Sequence, residues 1–179
     1  KRAAQVSTVP VINAGDGVGE HPTQTLLDLY TIYKHYGRLD GLIVTLMGDH
    51  KYGRTIHSLV QALDLFDTKI NLIGPIDLKL PKKFYKERYL ESVELTANIA
   101  MSTDVLYMTR VQRERGAQGN YALTRLDAEN LPDNSIVMHP LPRVDELGDW
   151  FDTDPRAKYF EQMSNGLAVR KFLLDRILG

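Results

Sequence analysis

The chain has no cysteine among its 179 residues, so disulfide bridges and thiolate metal sites are excluded. Its formal net charge is -1, and no block of like charge stands out. A nucleic-acid partner, which needs a concentrated field of Lys and Arg, is therefore not expected. No apolar run approaches the roughly 20 residues needed to span a bilayer, and Lys1–Val9 lacks the apolar stretch of a signal peptide. The five histidines form no pair at helical or zinc-site spacing, so neither metal nor cofactor is expected. These absences point to a cytoplasmic setting away from membranes. The chain also opens on lysine rather than methionine, which reads as a piece of a longer polypeptide. What remains is an ordinary globular balance, 43% hydrophobic and 25% charged, long enough to bury roughly 70% of the unfolded surface. One domain with a real core is expected.

Apolar runs and turn signals alternate along the chain. Val9–Asn13 reads as a short strand, and Gly15-Asp16-Gly17-Val18-Gly19 as a turn. Leu26, Leu27, Tyr30 and Tyr33 recur at helical spacing from Pro22 to a stop near Gly37. Leu42–Met47 is an almost unbroken apolar run, the mark of a strand buried on both faces of a parallel sheet. Ile56, Leu59, Val60, Leu63 and Phe66 share one helix face, and Lys69–Ile73 is the next strand. Pro81 opens a Lys-rich segment predicted as a helix to about Tyr89, followed by a short strand at Ser92–Leu95. Val105–Met108 and Ile136–Met138 are further strands, and a helix over about Asn165–Leu178 closes the chain. That last helix is apolar around most of its circumference, so it expects cover on more than one side. The pattern predicts a three-layer α/β/α, Rossmann-like fold with a mostly parallel sheet of about five strands, closed by the C-terminal helix.

Two glycine-rich segments imitate phosphate-binding motifs. Gly15-Asp16-Gly17-Val18-Gly19-Glu20 has a glutamate where a dinucleotide fingerprint needs its third glycine. That carboxylate would oppose a pyrophosphate. Gly48-Asp49-His50-Lys51-Tyr52-Gly53-Arg54-Thr55 departs from a P-loop where Arg54 replaces the lysine, whose compact charge reaches the β- and γ-phosphates. Neither segment supports nucleotide binding.

Four other polar segments sit at strand ends or helix starts, where an open α/β sheet gathers its ligands. They are Glu20–Gln24, Lys51–Thr55, Thr109–Gln112 and His139–Arg143. His21 precedes Pro22, a residue favoured at the first helical position. His21 is therefore expected to cap a helix, beside a dipole that favours a neutral imidazole able to donate one hydrogen bond. Gln24 is expected on the same exposed rim. Arg54 falls in the first turn of its helix, where a positive charge opposes the dipole. Arg110 and Gln112 follow a strand end. His139-Pro140-Leu141-Pro142 is a stiff corner with two residues that lack N–H groups. Two converging arginines would suit a ligand with two carboxylates, because the guanidinium fork matches carboxylate geometry. Taken singly, each segment also reads as a helix cap, a surface loop or a strand stop.

Together with Asn13–Gly17 and Tyr107–Met108, these blocks resemble the aspartate-binding domain of the aspartate carbamoyltransferase catalytic chain, from about Val9 to Leu178. The resemblance implies transfer of a carbamoyl group from carbamoyl phosphate to L-aspartate, an early step of pyrimidine synthesis. By resemblance, His21 and Arg54 are catalytic, with His21 donating to the carbamoyl oxygen. Gln24 and the Pro140-Leu141-Pro142 corner hold the carbamoyl amide. Arg54 and Arg110 clamp the aspartate carboxylates, and Gln112 assists. The family's Ser-Thr-Arg-Thr phosphate loop is not in this sequence, nor is the lysine that a neighbouring subunit lends. Residues 1–179 are thus read as a single aspartate-binding domain without the carbamoyl-phosphate-binding domain, drawn from a parent expected to be a homotrimer. Arg115 matches an arginine that bridges the two domains. The related ornithine carbamoyltransferases carry His-Cys-Leu-Pro at the corner, where Pro140 stands here. An isolated binding or docking domain without turnover is the remaining alternative.

Overall fold

The computed structural model describes residues 2–17, 19–112 and 121–178; Arg115 lies outside them. After a short helix α1 (Arg2–Val6) come α2 (Pro22–Tyr36), β1 (Ile43–Met47), α3 (Arg54–Leu63) and β2 (Lys69–Ile73). The chain continues through β3 (Leu90–Ser92), α4 (Ala97–Ser102), β4 (Val105–Met108), α5 (Arg125–Asn130), β5 (Ile136–Met138) and α6 (Tyr159–Leu178). The five strands form one sheet in the order β3-β2-β1-β4-β5, and every pairing is parallel.

Strand alternation explains the two-sided core. Successive side chains on a strand point to opposite faces, and the buried residues divide accordingly. Val44, Leu46, Ile70, Leu72, Val105, Tyr107, Ile136 and Met138 join Ile56, Leu59, Val60 and Leu63 of α3 and Ile32 of α2. Met47, Ile73, Leu106, Met108 and Val137 face the other way, onto Ala100 of α4, Ala128 of α5, Phe151 and Tyr159. With both faces covered, the strands need no polar side, hence the unbroken apolar runs.

The strand order reverses between β1 and β4. The segment after β1 turns into α3 on one face, while that after β4 leads to α5 on the other. The two connections therefore diverge and leave a crevice at the carboxyl edge, the usual ligand position in doubly wound sheets. Gly48 lets the edges close at this point. Its φ is 127°, and a Cβ there would collide with the carbonyl oxygen of Thr109, just past β4. Gly48→Ala is therefore expected to cost about 1–3 kcal/mol, from a strained backbone together with a displaced neighbour. Urea unfolding would measure the loss; unchanged stability would mean that the crevice floor yields freely.

Several elements depart from expectation. Val9–Asn13 forms no strand, and Val9 and Val11 are exposed. Pro81–Tyr89 is a series of turns rather than a helix. Its reason is long-range. Leu80, Phe84 and Tyr89 drop into the core, while Lys86, Arg88 and the Tyr89 hydroxyl all reach the carboxylate of Asp64, which ends α3. No regular helix serves both demands. The edge strand β3 overlaps the expected Ser92–Leu95 at Ser92 alone, and its residues are largely exposed, so periodicity gave little guidance. Helix α6 starts at Tyr159, six residues before Asn165. Helices α4 and α5 are short and unforeseen, although α5 carries a Thr124–Asp127 capping box.

Candidate functional site

The crevice is a cleft of about 200 Å³ lined by His21, Gln24, Gly53, Arg54, Thr55, Thr109, Arg110, Gln112 and His139–Pro142. All eight residues singled out from the sequence, namely His21, Gln24, Arg54, Arg110, Gln112, Pro140, Leu141 and Pro142, line it. They come from four places in the chain. The start of α2 supplies His21 and Gln24, the start of α3 supplies Arg54, and the segments after β4 and β5 supply the rest.

His21 holds the N-cap position of α2, yet its side chain makes no capping bond. Its backbone N–H donates to the Ser58 hydroxyl at 2.8 Å, which pins α2 to α3 and leaves the imidazole at the cleft. Burial, followed by the positive charges of Arg54 and Arg170, holds its pKa below the ordinary 6.5. Desolvation and like charge thus favour the expected neutral ring.

Arg54 is the first residue of α3. Its guanidinium lies against Gly15, where an added Cβ would stand 2.7 Å from Nη1. Gly15 also has a φ of 124°, so this seat depends on glycine twice over. Asp49 joins the two arginine-bearing segments. Its Oδ1 accepts from the backbone of Lys51 and Tyr52, at 3.0 and 2.9 Å, while Oδ2 accepts from Gln112 N–H at 3.1 Å. A single buried carboxylate therefore sets the loop after β1 against the loop after β4, with Arg54 on one and Arg110 on the other.

The opposite wall offers acceptors. His139 does not face the ligand space with a free nitrogen; it is buried behind the corner. Its Nε2 lies 2.8 Å from Glu146 Oε1, and its Nδ1 accepts the Leu141 N–H at 2.9 Å. Nδ1 as acceptor puts the proton on Nε2, which donates to Glu146. Burial raises the Glu146 pKa, but the bond from His139 and the backbone bonds outweigh it and leave the carboxyl low. Pro140 and Pro142 have no N–H, and that of Leu141 is taken. Leu141 is held at φ 44° and the Leu141–Pro142 bond is cis. Among the described residues no bond to the carbonyls of Pro140 or Leu141 is made, so the corner presents acceptors alone. Gln24 behaves alike. It is buried rather than on an exposed rim, and its Nε2 donates to Asp28 at 2.9 Å. The residue lines the cleft, with its carbonyl oxygen as the group not bonded to Asp28.

Sequence reading passes over Asp28, Gln162, Glu146 and Arg170, which hold or polarise this wall from behind. Asp28 alone carries a local signal: a carboxylate four residues after Gln24, on the buried face of α2. Among the described residues no cluster of His, Asp and Glu could hold a metal ion, and no helix is long and apolar enough to cross a membrane.

A doubly wound parallel sheet with two arginines and an acceptor wall at its switch point defines an α/β domain with a polar, arginine-bearing cleft. More specifically, the chain belongs to the aspartate/ornithine carbamoyltransferase family: residues 40–177 match its Asp/Orn binding domain. Residues 1–34 match the carbamoyl-P binding domain of the same family. The chain is 44% identical to the aspartate carbamoyltransferase catalytic subunit of Thermoplasma volcanium, over 99% of this chain and 62% of that one. It is 49% identical to that of Archaeoglobus fulgidus, over 98% of this chain and 62% of that one. Aspartate transcarbamoylase from Trypanosoma cruzi, solved with aspartate and phosphate, superposes with a TM-score of 0.88 at 39% identity, over 94% of this chain and 57% of that one. The chain thus spans about 62% of the length of these curated relatives.

Proposed function

We propose that the full-length protein transfers the carbamoyl group of carbamoyl phosphate to the amine of L-aspartate, and that residues 1–179 supply the aspartate-binding half of the site together with carbamoyl-holding groups from the segment, residues 1–34, that matches the carbamoyl-P binding domain. One observation carries the reading. Arg54 and Arg110 line the same cleft as an acceptor-only corner, so a dicarboxylate and an amide N–H₂ can be held side by side. The aspartate amine attacks the carbamoyl carbon, a C–N bond forms, and the C–O bond to phosphate breaks. The departing phosphate takes the amine proton. No covalent enzyme species is needed, so catalysis rests on alignment and on charge stabilisation. His21, neutral and able to donate, steadies the oxyanion; Gln24 and the carbonyls of Pro140 and Leu141 take the amide hydrogens. Arg54 and Arg110 orient the nucleophile, with Gln112 beside them.

The leaving phosphate needs its own concentrated positive site. The family's phosphate loop is not in these residues, and both cleft arginines are committed to aspartate. The rest of the parent polypeptide would supply it. The apolar surface of α2 and α6, with Leu26, Tyr30 and Phe172 exposed, offers a face for that part to pack on. A cytoplasmic homotrimer completes the reading.

Assays of the full-length protein are expected to yield carbamoyl aspartate from aspartate and no citrulline from ornithine. Purified residues 1–179 should give no useful turnover, should self-associate by light scattering, and should regain activity when mixed with the separately made remainder. Citrulline as the main product would overturn the substrate assignment. Full turnover by residues 1–179 alone would overturn the half-site assignment.

A further inference from the structure

Asp28 sits one helical turn beyond Gln24 on α2, so the two share a face. It is fully buried, yet three side chains converge on it. Oδ1 accepts from Gln24 Nε2 at 2.9 Å and from Gln162 Nε2 at 2.6 Å. Oδ2 accepts from the Tyr107 hydroxyl at 2.8 Å. Gln162 belongs to α6 and Tyr107 to β4, so one carboxylate ties two helices to the sheet. A carboxylate presents acceptors to these partners, so each glutamine must turn its N–H₂ toward it and its oxygen away. For Gln24, which lines the cleft, that leaves the oxygen as the group to offer a ligand. For Gln162, it accepts the backbone N–H of His139 at 2.9 Å, where the corner begins.

We propose that Asp28 is a positioning residue for the cleft: through Gln24 directly, and through Gln162 to His139, it sets the acceptor groups that hold the carbamoyl amide. The proposal rests on the function proposed above. Packing alone gives no reason for an acid here, since an apolar side chain of similar volume would fill the α2–α6 seam at less desolvation cost. Burial pushes the Asp28 carboxyl up to about 7, against the bonds from Gln162, Tyr107 and Gln24 and the charge of Arg170. What the acid provides is direction. Were a donor placed where Oδ1 stands, the Gln24 amide would reverse and turn N–H₂ toward another N–H₂.

The test compares KM values in the full-length protein. Asp28→Leu should raise the KM for carbamoyl phosphate by about tenfold or more and lower kcat, leaving the KM for aspartate within about twofold. Asp28→Asn keeps one oxygen for the two glutamines and lets its N–H₂ donate to the Tyr107 oxygen, so it should return both constants to within about threefold of wild type. A purely structural role would reduce the folded fraction and leave both KM values in place. The proposal is overturned by a folded Asp28→Leu with normal carbamoyl phosphate KM, or by Asp28→Asn as impaired as Asp28→Leu. If Asp28→Leu does not fold, Gln162→Met carries the test: it removes the tether to His139, and an unchanged carbamoyl phosphate KM again overturns the idea. Failure of the functional reading itself would show separately, as wild-type protein that makes no carbamoyl aspartate.

Discussion

Arg110→Ala in the full-length protein is expected to reduce aspartate affinity or transition-state stabilisation by a factor of tens to thousands. Removing one member of a desolvated charge pair costs about 2–5 kcal/mol, much of it from the partner charge left buried and unmatched. The dicarboxylate would keep Arg54 for one carboxylate and lose its fork for the other. Binding of carbamoyl phosphate should change little, since Gln24, Pro140 and Leu141 reach the cleft from other segments of the chain. Isothermal titration with each substrate, beside steady-state kinetics, separates the two effects. Equal damage to both substrates would show that Arg110 holds the loop after β4 in place and does not choose the ligand.

His21→Ala should leave binding largely intact and slow the chemical step. Its hydrogen bond strengthens as negative charge builds on the carbamoyl oxygen, and loss of one such donor typically lowers kcat by about 10²–10³. The wild-type pH profile should agree. Because burial and the charges of Arg54 and Arg170 hold the imidazole below its usual 6.5, it remains neutral at pH 7. Any fall in rate from its protonation should lie on the acid side of that value. An unchanged kcat in His21→Ala would reduce the residue to a helix start, with its backbone bond to Ser58 as its contribution.

The parts of this molecule legible in the sequence are those whose cause is local. Leu42–Met47 and Val105–Met108 announce buried parallel strands by composition alone, and Pro22 marks the start of a helix. Arg54, Arg110 and the Pro140-Leu141-Pro142 corner stand out because each follows a strand end, and doubly wound sheets collect their ligand groups there. Other features depend on partners far away in the chain. Gln162 meets Asp28 across 134 residues, and Gln112 meets Asp49 across 63. No spacing rule reaches that far. The turns of Pro81–Tyr89 fail as a helix for a related reason: Asp64 gathers three donors from that stretch, and tertiary pairing overrides local propensity. His139 teaches the opposite lesson. Its residue type suggests chemistry, but burial and two committed ring nitrogens make it a brace.

The strands stop just short of the cleft. β4 ends at Met108 and β5 at Met138, while Arg110, Gln112 and Pro140 follow within four residues. On the proposed function, ligand preference is thus written in the first few residues past each strand end, ahead of Leu123, Leu147 and Phe151, which return to the apolar layer beneath. Descent with change of substrate is correspondingly easy on such a frame. Exchanging the cationic residues after β4 for acidic ones would turn a seat for an anionic side chain toward an ammonium one, with the sheet and its helices undisturbed. One barred replacement in that neighbourhood is Gly48, where any side chain meets the Thr109 carbonyl. A lineage can revise what it binds here more readily than where it binds it.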